Sequence, residues 1–334
     1  MRAVAIDRFV GPEILSVSIV PVPEPKPSQI LIRVESAGLG IWDVAECQGI
    51  IARMQGINPD FPWVLGSEGA GKVVAVGDQV SEFRRGDSVY GLNWGTNPKR
   101  GFFAEYTALD AAWASPIPSN LSTEQAGALM IDGATGLRGL DEILGLKQGE
   151  KLMVFGASGG IGHLAVQLAT RMGAHVFAIA SGEDGVALAQ RLGAEGAVEG
   201  HHGDIVASAR EFAPEGFDAA LFTAGGDAAD RALTTMRDGG RAATPGGPQV
   251  ALKVPSTVRL LSYNDREYWK KGLDLELIGK LNELVDAGPF EVHLGKTFPL
   301  DQVVDAHQAL SSHYLGRLAL LPGTMPAQES ASGA

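Results

Sequence analysis

A glycine-rich turn in the middle of the chain has the residue types and spacing to bind a nucleotide phosphate. An apolar run at residues 152–155 precedes it, and apolar residues at helical spacing follow. This order predicts a strand, a turn and a helix whose free N–H groups and positive dipole end bind a dinucleotide pyrophosphate. The spacing is Ala157-x-Gly159-x-x-Gly162, in which alanine replaces the first glycine of the usual pattern. An ordinary strand–helix turn is the alternative. The candidate phosphate-binding residues are Ala157, Ser158, Gly159, Gly160, Ile161 and Gly162.

The residue after the next predicted strand bears on which cofactor would bind. Domains specific for NAD place Asp or Glu there, on the ribose 2′-hydroxyl. Here the strand at 175–180 ends at Ser181, whose small hydroxyl leaves room for a 2′-phosphate and can donate a hydrogen bond to it. The sequence therefore favours NADPH over NADH. Glu183 and Asp184 would oppose a phosphate unless they point to solvent.

Composition limits the class of protein. The 334 residues, 45% of them hydrophobic, are enough for two domains with their own cores. A net charge of −12 argues against nucleic-acid and anionic-membrane partners. No apolar run reaches the roughly 20 residues of a membrane span, and Asp7 and Arg8 interrupt any signal-peptide core, so a cytoplasmic protein is expected. The single cysteine, Cys47, excludes an intramolecular disulfide and a multi-cysteine zinc site, and a structural or surface thiol is expected.

The pattern of elements predicts an α/β fold. Residues 1 to about 120 are β-rich, and strands then alternate with helices, which is typical of a doubly wound parallel sheet. We expect a Rossmann domain at 122–265 inserted between residues 1–121 and 266–323 of another domain, and a disordered tail at 324–334. The predicted strands are 151–156, 175–180, 218–223, 240–244, one near 296, and 317–321. The predicted helices are 160–172, 183–192, 204–213, 228–237, 274–287 and 301–311.

Several further segments together resemble the medium-chain dehydrogenase/reductase superfamily. They follow one another in that family's order along nearly the whole chain: residues 37–43, 65–73, 77–80, 85–89, 101–106, 132–137, the glycine turn, and 315–318. The resemblance implies a GroES-like β-barrel catalytic domain plus a Rossmann domain, with a cleft between them. It also implies a homodimer.

The chain departs from that family at the metal-binding places. Where zinc-dependent members carry Cys, His and a further Cys or Glu-type ligand, this sequence has Gly40, Ser67 and Ile131, and residues 93–100 lack the cysteines of a structural zinc site. The chain therefore looks like a member of the zinc-free branch and resembles the zeta-crystallin-like quinone oxidoreductases. The implied reaction is zinc-independent hydride transfer from NADPH to a hydrophobic quinone or α,β-unsaturated carbonyl.

The candidate catalytic residues lie on segments that the resemblance places at the cleft. Asp132 adjoins a lost metal position and could act as an acid, and a turn or cap residue is the equal alternative. Asp43 and Glu68 match patterned positions, with local hydrogen bonding as the alternative. Trp42, Trp94, Tyr263 and Trp269 could line an aromatic substrate pocket, and Trp42 has a cleft position. Packing is the alternative for each of them. By resemblance, Thr135, Thr223 and Gly246 contact ribose or nicotinamide, and Arg317 could reach the 2′-phosphate.

Two other functions stay open. One is a dedicated enone or enoyl reductase of a small-molecule pathway. The other is a non-catalytic NADPH-binding protein with a structural or regulatory role.

Overall fold

A computed structural model describes residues 1–94, 96–245, 252–264, 268 and 272–323. Three predictions fall outside these residues: Gly246 as a cofactor contact, Trp269 as a pocket residue, and the disordered tail at 324–334. No helix within the described ranges is both long and apolar enough to cross a bilayer.

The strands and helices are numbered here in chain order. The strands are β1 Arg2–Ile6, β2 Val17–Ile19, β3 Gln29–Leu39, β4 Trp63–Val64, β5 Glu68–Val76, β6 Ser88–Leu92, β7 Tyr106–Asp110, β8 Ala114–Pro116, β9 Lys151–Phe155, β10 His175–Ala180, β11 Gly196–Glu199, β12 Phe217–Phe222, β13 Met236–Pro245, β14 Arg259–Tyr263, β15 Leu294–Pro299 and β16 Arg317–Leu321. The α-helices are α1 Ile41–Cys47, α2 Ile50–Gln55, α3 Thr123–Ala126, α4 Met130–Arg138, α5 Gly160–Arg171, α6 Gly182–Arg191, α7 Ile205–Phe212, α8 Asp227–Leu233, α9 Leu275–Asp286 and α10 Val303–Ala309.

Six strands form a parallel sheet in the order β11-β10-β9-β12-β13-β14. Counted from β9, this is the 3-2-1-4-5-6 order of a doubly wound nucleotide-binding sheet, and the order reverses between β9 and β12. The central strands are apolar because both of their faces are buried. The α/β class and the strands predicted in this region are confirmed, whereas β11 and β14 were not predicted.

One helix prediction is wrong at its end. The helix expected over 228–237 is α8, which stops at Leu233, and β13 already begins at Met236. The hydroxyls of Thr234 and Thr235 donate 2.7 Å hydrogen bonds back to the carbonyls of Arg231 and Ala232. These bonds satisfy carbonyls of the last turn, so the helix ends there and the chain becomes extended.

The second large sheet joins the two ends of the chain. Its order is β15-β16-β3-β5-β6-β8, with β7 also pairing with β3. In the centre Leu320 of β16 lies opposite Ala37 of β3. A small sheet, β2-β1-β4, packs beside it. Strands from before and after the nucleotide-binding sheet thus share one layer, although the exact domain boundaries stay a prediction. The short helices α1 and α2 interrupt a region that was expected to be β-rich.

The outer edge of the parallel sheet is open. Strand β14 pairs with β13 alone among the described strands, and Leu260 on it is 40% exposed. The expected homodimer stays a prediction.

A buried histidine links α5 to the chain that leads into β15. His163 Nδ1 lies 2.9 Å from the carbonyl oxygen of Gly159, and its Nε2 accepts a 3.2 Å hydrogen bond from the backbone N–H of His293. The second contact requires an unprotonated Nε2, so Nδ1 carries the proton and donates to Gly159. Burial lowers the pKa of His163 to about 4.

We expect this histidine to make stability depend on pH. Between pH 6.5 and 4, His163 gains a proton in the unfolded chain but stays neutral in the folded chain. The contribution of His163 to the free energy of unfolding is therefore present above pH 6.5 and is lost as the pH falls towards 4. The gap in unfolding free energy between the wild type and His163→Gln should shrink by about 3 kcal/mol from pH 7 to pH 4.

Urea unfolding at several pH values measures this gap. The exposed His175→Gln serves as the control and should follow the wild type. Parallel curves for the wild type and His163→Gln would contradict the assignment.

Candidate cofactor-binding and catalytic site

The glycine turn connects β9 to α5 at the point where the order of the parallel sheet reverses. Gly156 has a φ of +82°, which favours glycine, and its N–H donates 2.9 Å to the carbonyl of Ile179 in β10. A side chain at Gly162 would collide with the carbonyl of Gly156, so glycine lets helix and strand pack closely. At Gly159, the N-cap of α5, a Cβ would have only the Gly156 oxygen nearby, at 3.5 Å. The backbone at Gly159 is therefore open to a phosphate.

Other predicted cofactor residues surround this turn. Thr223, after β12, donates a 3.0 Å hydrogen bond from its hydroxyl to the carbonyl of Phe155. Thr135 lies in α4, and its carbonyl accepts a 2.8 Å hydrogen bond from the hydroxyl of Tyr263. Tyr263 is buried by this contact, which favours packing over the pocket role considered for it. Ile161 is half-buried against α4.

Arg317 pairs with two buried carboxylates at the start of α5. Its guanidinium donates to Asp132 of α4 and to Glu68 of β5, and it lies 4.8 Å over the ring of Trp42. Arg317 is only 3% exposed. A Cβ built on Gly160 would collide with the Asp132 carboxylate and approach Arg317 Cδ to 3.0 Å, so this group packs against the first turn of α5.

The contacts of Arg317 bear on the roles predicted for Arg317 itself, Asp132 and Glu68. A 2′-phosphate contact by Arg317 stays a prediction, and it would require the guanidinium to leave two carboxylates. Asp132 as proton donor also stays a prediction, since its carboxylate accepts a hydrogen bond from Arg317. Glu68 accepts a second, 2.8 Å hydrogen bond from the N–H of Ile131. Burial raises the pKa of Glu68 to about 7 against the opposing effect of Arg317.

A second buried ionic cluster lies beneath α1. Lys99 pairs with Glu46, and its Nζ lies 3.3 Å from the hydroxyl oxygen of Ser67. Asp43 accepts a 2.8 Å hydrogen bond from the N–H of Gly40, which caps α1. Burial, and then the nearby Glu46 carboxylate, raise the pKa of Asp43 well above its usual range. Local capping is thus the observed contact of Asp43, and a catalytic role stays a prediction. Burial likewise raises the pKa of the Cys47 thiol to about 12, so this cysteine is a poor nucleophile.

The residues at the family's zinc positions do not fit a zinc ion. Gly40 and Ile131 have no donor atom in their side chains, and the hydroxyl of Ser67 faces the Lys99 ammonium, which would repel a metal cation. Across the residues that the structure describes, no group of three or more His, Cys, Asp or Glu side chains could hold a metal.

Ser181 lies at the carboxyl end of β10, next to the glycine turn. Its N–H donates a 3.2 Å hydrogen bond to the hydroxyl of Ser158, and its own hydroxyl lies 3.1 Å from His201 Nε2. The two predicted ends of the cofactor site, the pyrophosphate turn and the 2′ position, are therefore in contact.

Known proteins share this architecture over the whole chain. Residues 26–119 match the alcohol dehydrogenase GroES-like domain, and residues 160–268 match the zinc-binding dehydrogenase family. An alcohol dehydrogenase of Rhizobium meliloti is 32% identical over 285 residues, which cover 77% of this chain and 81% of that protein. The chain belongs to the medium-chain dehydrogenase/reductase superfamily. The α/β class with a GroES-like and a Rossmann-like part is thereby confirmed.

Two further members of the superfamily are similar along almost their full length. The quinone oxidoreductase of Homo sapiens is 28% identical over 335 residues, which cover 96% of this chain and 98% of that protein. The crystal structure of an NAD-dependent alcohol dehydrogenase superposes with a TM-score of 0.85 at 28% identity, covering 97% of this chain and all of that one. These relatives support an NAD(P)-dependent oxidoreductase that acts on a small molecule.

Some residues of the site carried no recognisable sequence signal. Lys99 and Glu46 form an ion pair although they are 53 residues apart in the sequence. Glu199 accepts its hydrogen bonds from backbone N–H groups, including those of His201 and His202. The one sequence feature that could have indicated the ion pair was Lys99 itself. It lies within residues 93–100, the segment that lacks the cysteines of a structural zinc site.

Removing Lys99 should leave a buried carboxylate without its cation. We expect Lys99→Met to lower the free energy of unfolding by about 3–5 kcal/mol. The double variant Lys99→Met/Glu46→Gln should regain part of this loss, since it removes both charges. Urea unfolding near pH 7 measures each value.

The surface pair between Lys280 and Asp141, 2.6 Å apart, provides the control. Lys280→Met should change stability by no more than about 1 kcal/mol. Additive losses in the double variant would show that Lys99 and Glu46 are not coupled.

Proposed function

We propose that this protein is a zinc-independent, NADPH-dependent reductase that transfers hydride to a quinone or an activated alkene. The observation that carries the proposal is the open backbone at Gly159 at the start of α5, beside the buried group of Arg317, Asp132 and Glu68. The similarity to quinone oxidoreductases supports the class of acceptor.

The chain's own groups would bind and orient the reactants. The N–H groups at the start of α5 would hold the pyrophosphate, and Thr135, Thr223 and Ser181 would line the ribose and nicotinamide path. Trp42, fixed under Arg317, would form part of the acceptor side. When bound, the reduced nicotinamide supplies the hydride, which quinones and α,β-unsaturated carbonyls accept without a Lewis acid.

The proton that an enone needs at its α-carbon would come from water or from Asp132. Arg317 would keep the Asp132 and Glu68 carboxylates in fixed positions against α5 during this step. A quinone makes less demand on these groups, because aromatisation favours its reduction.

A turnover assay tests the reaction. Loss of NADPH absorbance is followed with 1,4-benzoquinone, 9,10-phenanthrenequinone and a simple enone, with NADH in parallel, with EDTA present, and against protein-free reactions. We expect NADPH-dependent turnover that survives EDTA, and less than one zinc per chain by elemental analysis.

Two outcomes would count against the proposal. Turnover abolished by the chelator, together with one zinc per chain, would overturn zinc independence. Tight NADPH binding without turnover on any acceptor would favour the non-catalytic binding protein.

The open backbone at Gly159 gives a second prediction. In Gly159→Ala a methyl group would occupy the approach of the pyrophosphate, so we expect the Kd for NADPH to rise about tenfold or more. The fold should tolerate the change, because a Cβ there meets one atom at ordinary contact distance. Calorimetric titration and thermal unfolding measure the two effects.

A matched control lies on α9, far along the chain from the turn. A Cβ at Gly279 would have nothing within 4 Å, so Gly279→Ala should leave the affinity for NADPH unchanged. Unaltered NADPH affinity in Gly159→Ala would remove this turn as the pyrophosphate site.

A further inference from the structure

Imidazole groups surround the carboxyl end of β10, where a doubly wound sheet receives the adenosine ribose. The Nε2 atom of His201 lies 3.1 Å from the Ser181 hydroxyl oxygen. The Nε2 atom of His313 lies 3.0 Å from the Asp184 carboxylate, in the first turn of α6. A Cβ built on Gly182 would lie 3.4 Å from the imidazole of His313, so this ring also packs beside the residue after Ser181.

The two histidines reach this place from different parts of the fold. His201 follows β11 of the parallel sheet, whereas His313 lies in the turn that leads to β16. Gly316 of the same turn donates a 2.7 Å hydrogen bond to the carbonyl of Ser158. The position of His313 is therefore tied to the glycine turn itself.

A carboxylate fixes the His201 turn. Glu199, at the end of β11, accepts hydrogen bonds from the backbone N–H groups of Gly182, His201 and His202, at 3.1, 2.8 and 2.6 Å. Against the opposing effect of burial, these N–H groups hold the pKa of Glu199 at about 2. Its two oxygens thus hold the backbone at Gly182 and at the His201–His202 turn, on either side of the Ser181 hydroxyl.

Several charged groups of either sign face this end of the sheet. The acidic residues are Glu183 and Asp184 on α6 and Glu199 on β11, and the titratable bases are His201, His202 and His313. In the described part of the chain, the side chains paired with the Ser181 hydroxyl and with Asp184 are imidazoles. Protonation of the three imidazoles would therefore offset the negative charge of the three carboxylates beside Ser181.

We propose that His201 and His313 supply the positive charge that recognises the 2′-phosphate of NADPH at Ser181, so that the preference for NADPH over NADH increases as the pH falls from 8 to 6. This inference rests on the proposed use of NADPH. Protonated imidazoles donate charge-assisted hydrogen bonds to phosphate oxygens.

The direction of the effect follows from the two kinds of charge. Histidine ordinarily gains its proton near pH 6.5. A phosphate monoester keeps at least one negative charge throughout this range. Neutral imidazoles would leave three carboxylates near the phosphate, and these would repel it. Protonated His313 and His201 would attract it. NADH lacks the phosphate, so its affinity reports every other effect of pH on the site.

The test is the ratio of the Kd for NADH to the Kd for NADPH, measured by calorimetry at pH 6, 7 and 8. We expect the wild-type ratio to rise about tenfold or more between pH 8 and pH 6. His201→Gln and His313→Gln should each reduce this rise, and the double variant should abolish it. The remote and exposed His175→Gln serves as the control and should behave as the wild type.

The outcomes separate this inference from the proposed function. A preference for NADPH that is constant between pH 6 and pH 8, or a pH-dependent preference that the double variant retains, overturns the role of the histidines and leaves NADPH as cofactor. Equal or weaker binding of NADPH than of NADH at every pH overturns both. Turnover is measured separately, so a protein that binds without reacting still reports on the histidines.

Discussion

The shared guanidinium of Arg317 is the contact on which the rest of the site depends. One buried cation receives a carboxylate from β5 and another from α4, and it lies over an indole from α1. Separating any of these charges would leave an unpaired ion in a low-dielectric interior, which is strongly unfavourable. The contact therefore fixes the mutual positions of the antiparallel sheet, the connecting helix and the start of α5. The glycine turn packs against this group, since a Cβ on Gly160 would collide with the Asp132 carboxylate.

The second buried cluster is organised around a lysine. The ammonium of Lys99 stands between Glu46 and Ser67, close to acidic groups that would otherwise repel one another. A lysine on a short segment thus compensates the negative charge of a carboxylate buried beside α1.

The sequence predicted the parallel sheet well because its strands are apolar runs bounded by glycine. The strands at 151–155 and 175–180 and helix α5 lie almost where the spacing indicated. Strand β11 was missed because its four residues include glycine and glutamate, and α1 was missed because its residues sit among β-rich segments. The glycine turn could be predicted from local spacing alone. The partners of Arg317 and Lys99 could not, since the pairs are 249, 185 and 53 residues apart and carry no local signal.

The place of Arg317 on β16, late in the described chain, has a consequence for biosynthesis. The ribosome releases the strands of the parallel sheet, and helix α5, well before it releases β16. Until then Glu68 and Asp132 have no cation between them, and β3 lacks its neighbour on one side. The nascent chain can therefore acquire its secondary structure progressively, but the buried cluster around Arg317 becomes complete only when β16 leaves the exit tunnel. Assembly of this buried cluster is in this sense a late event of translation.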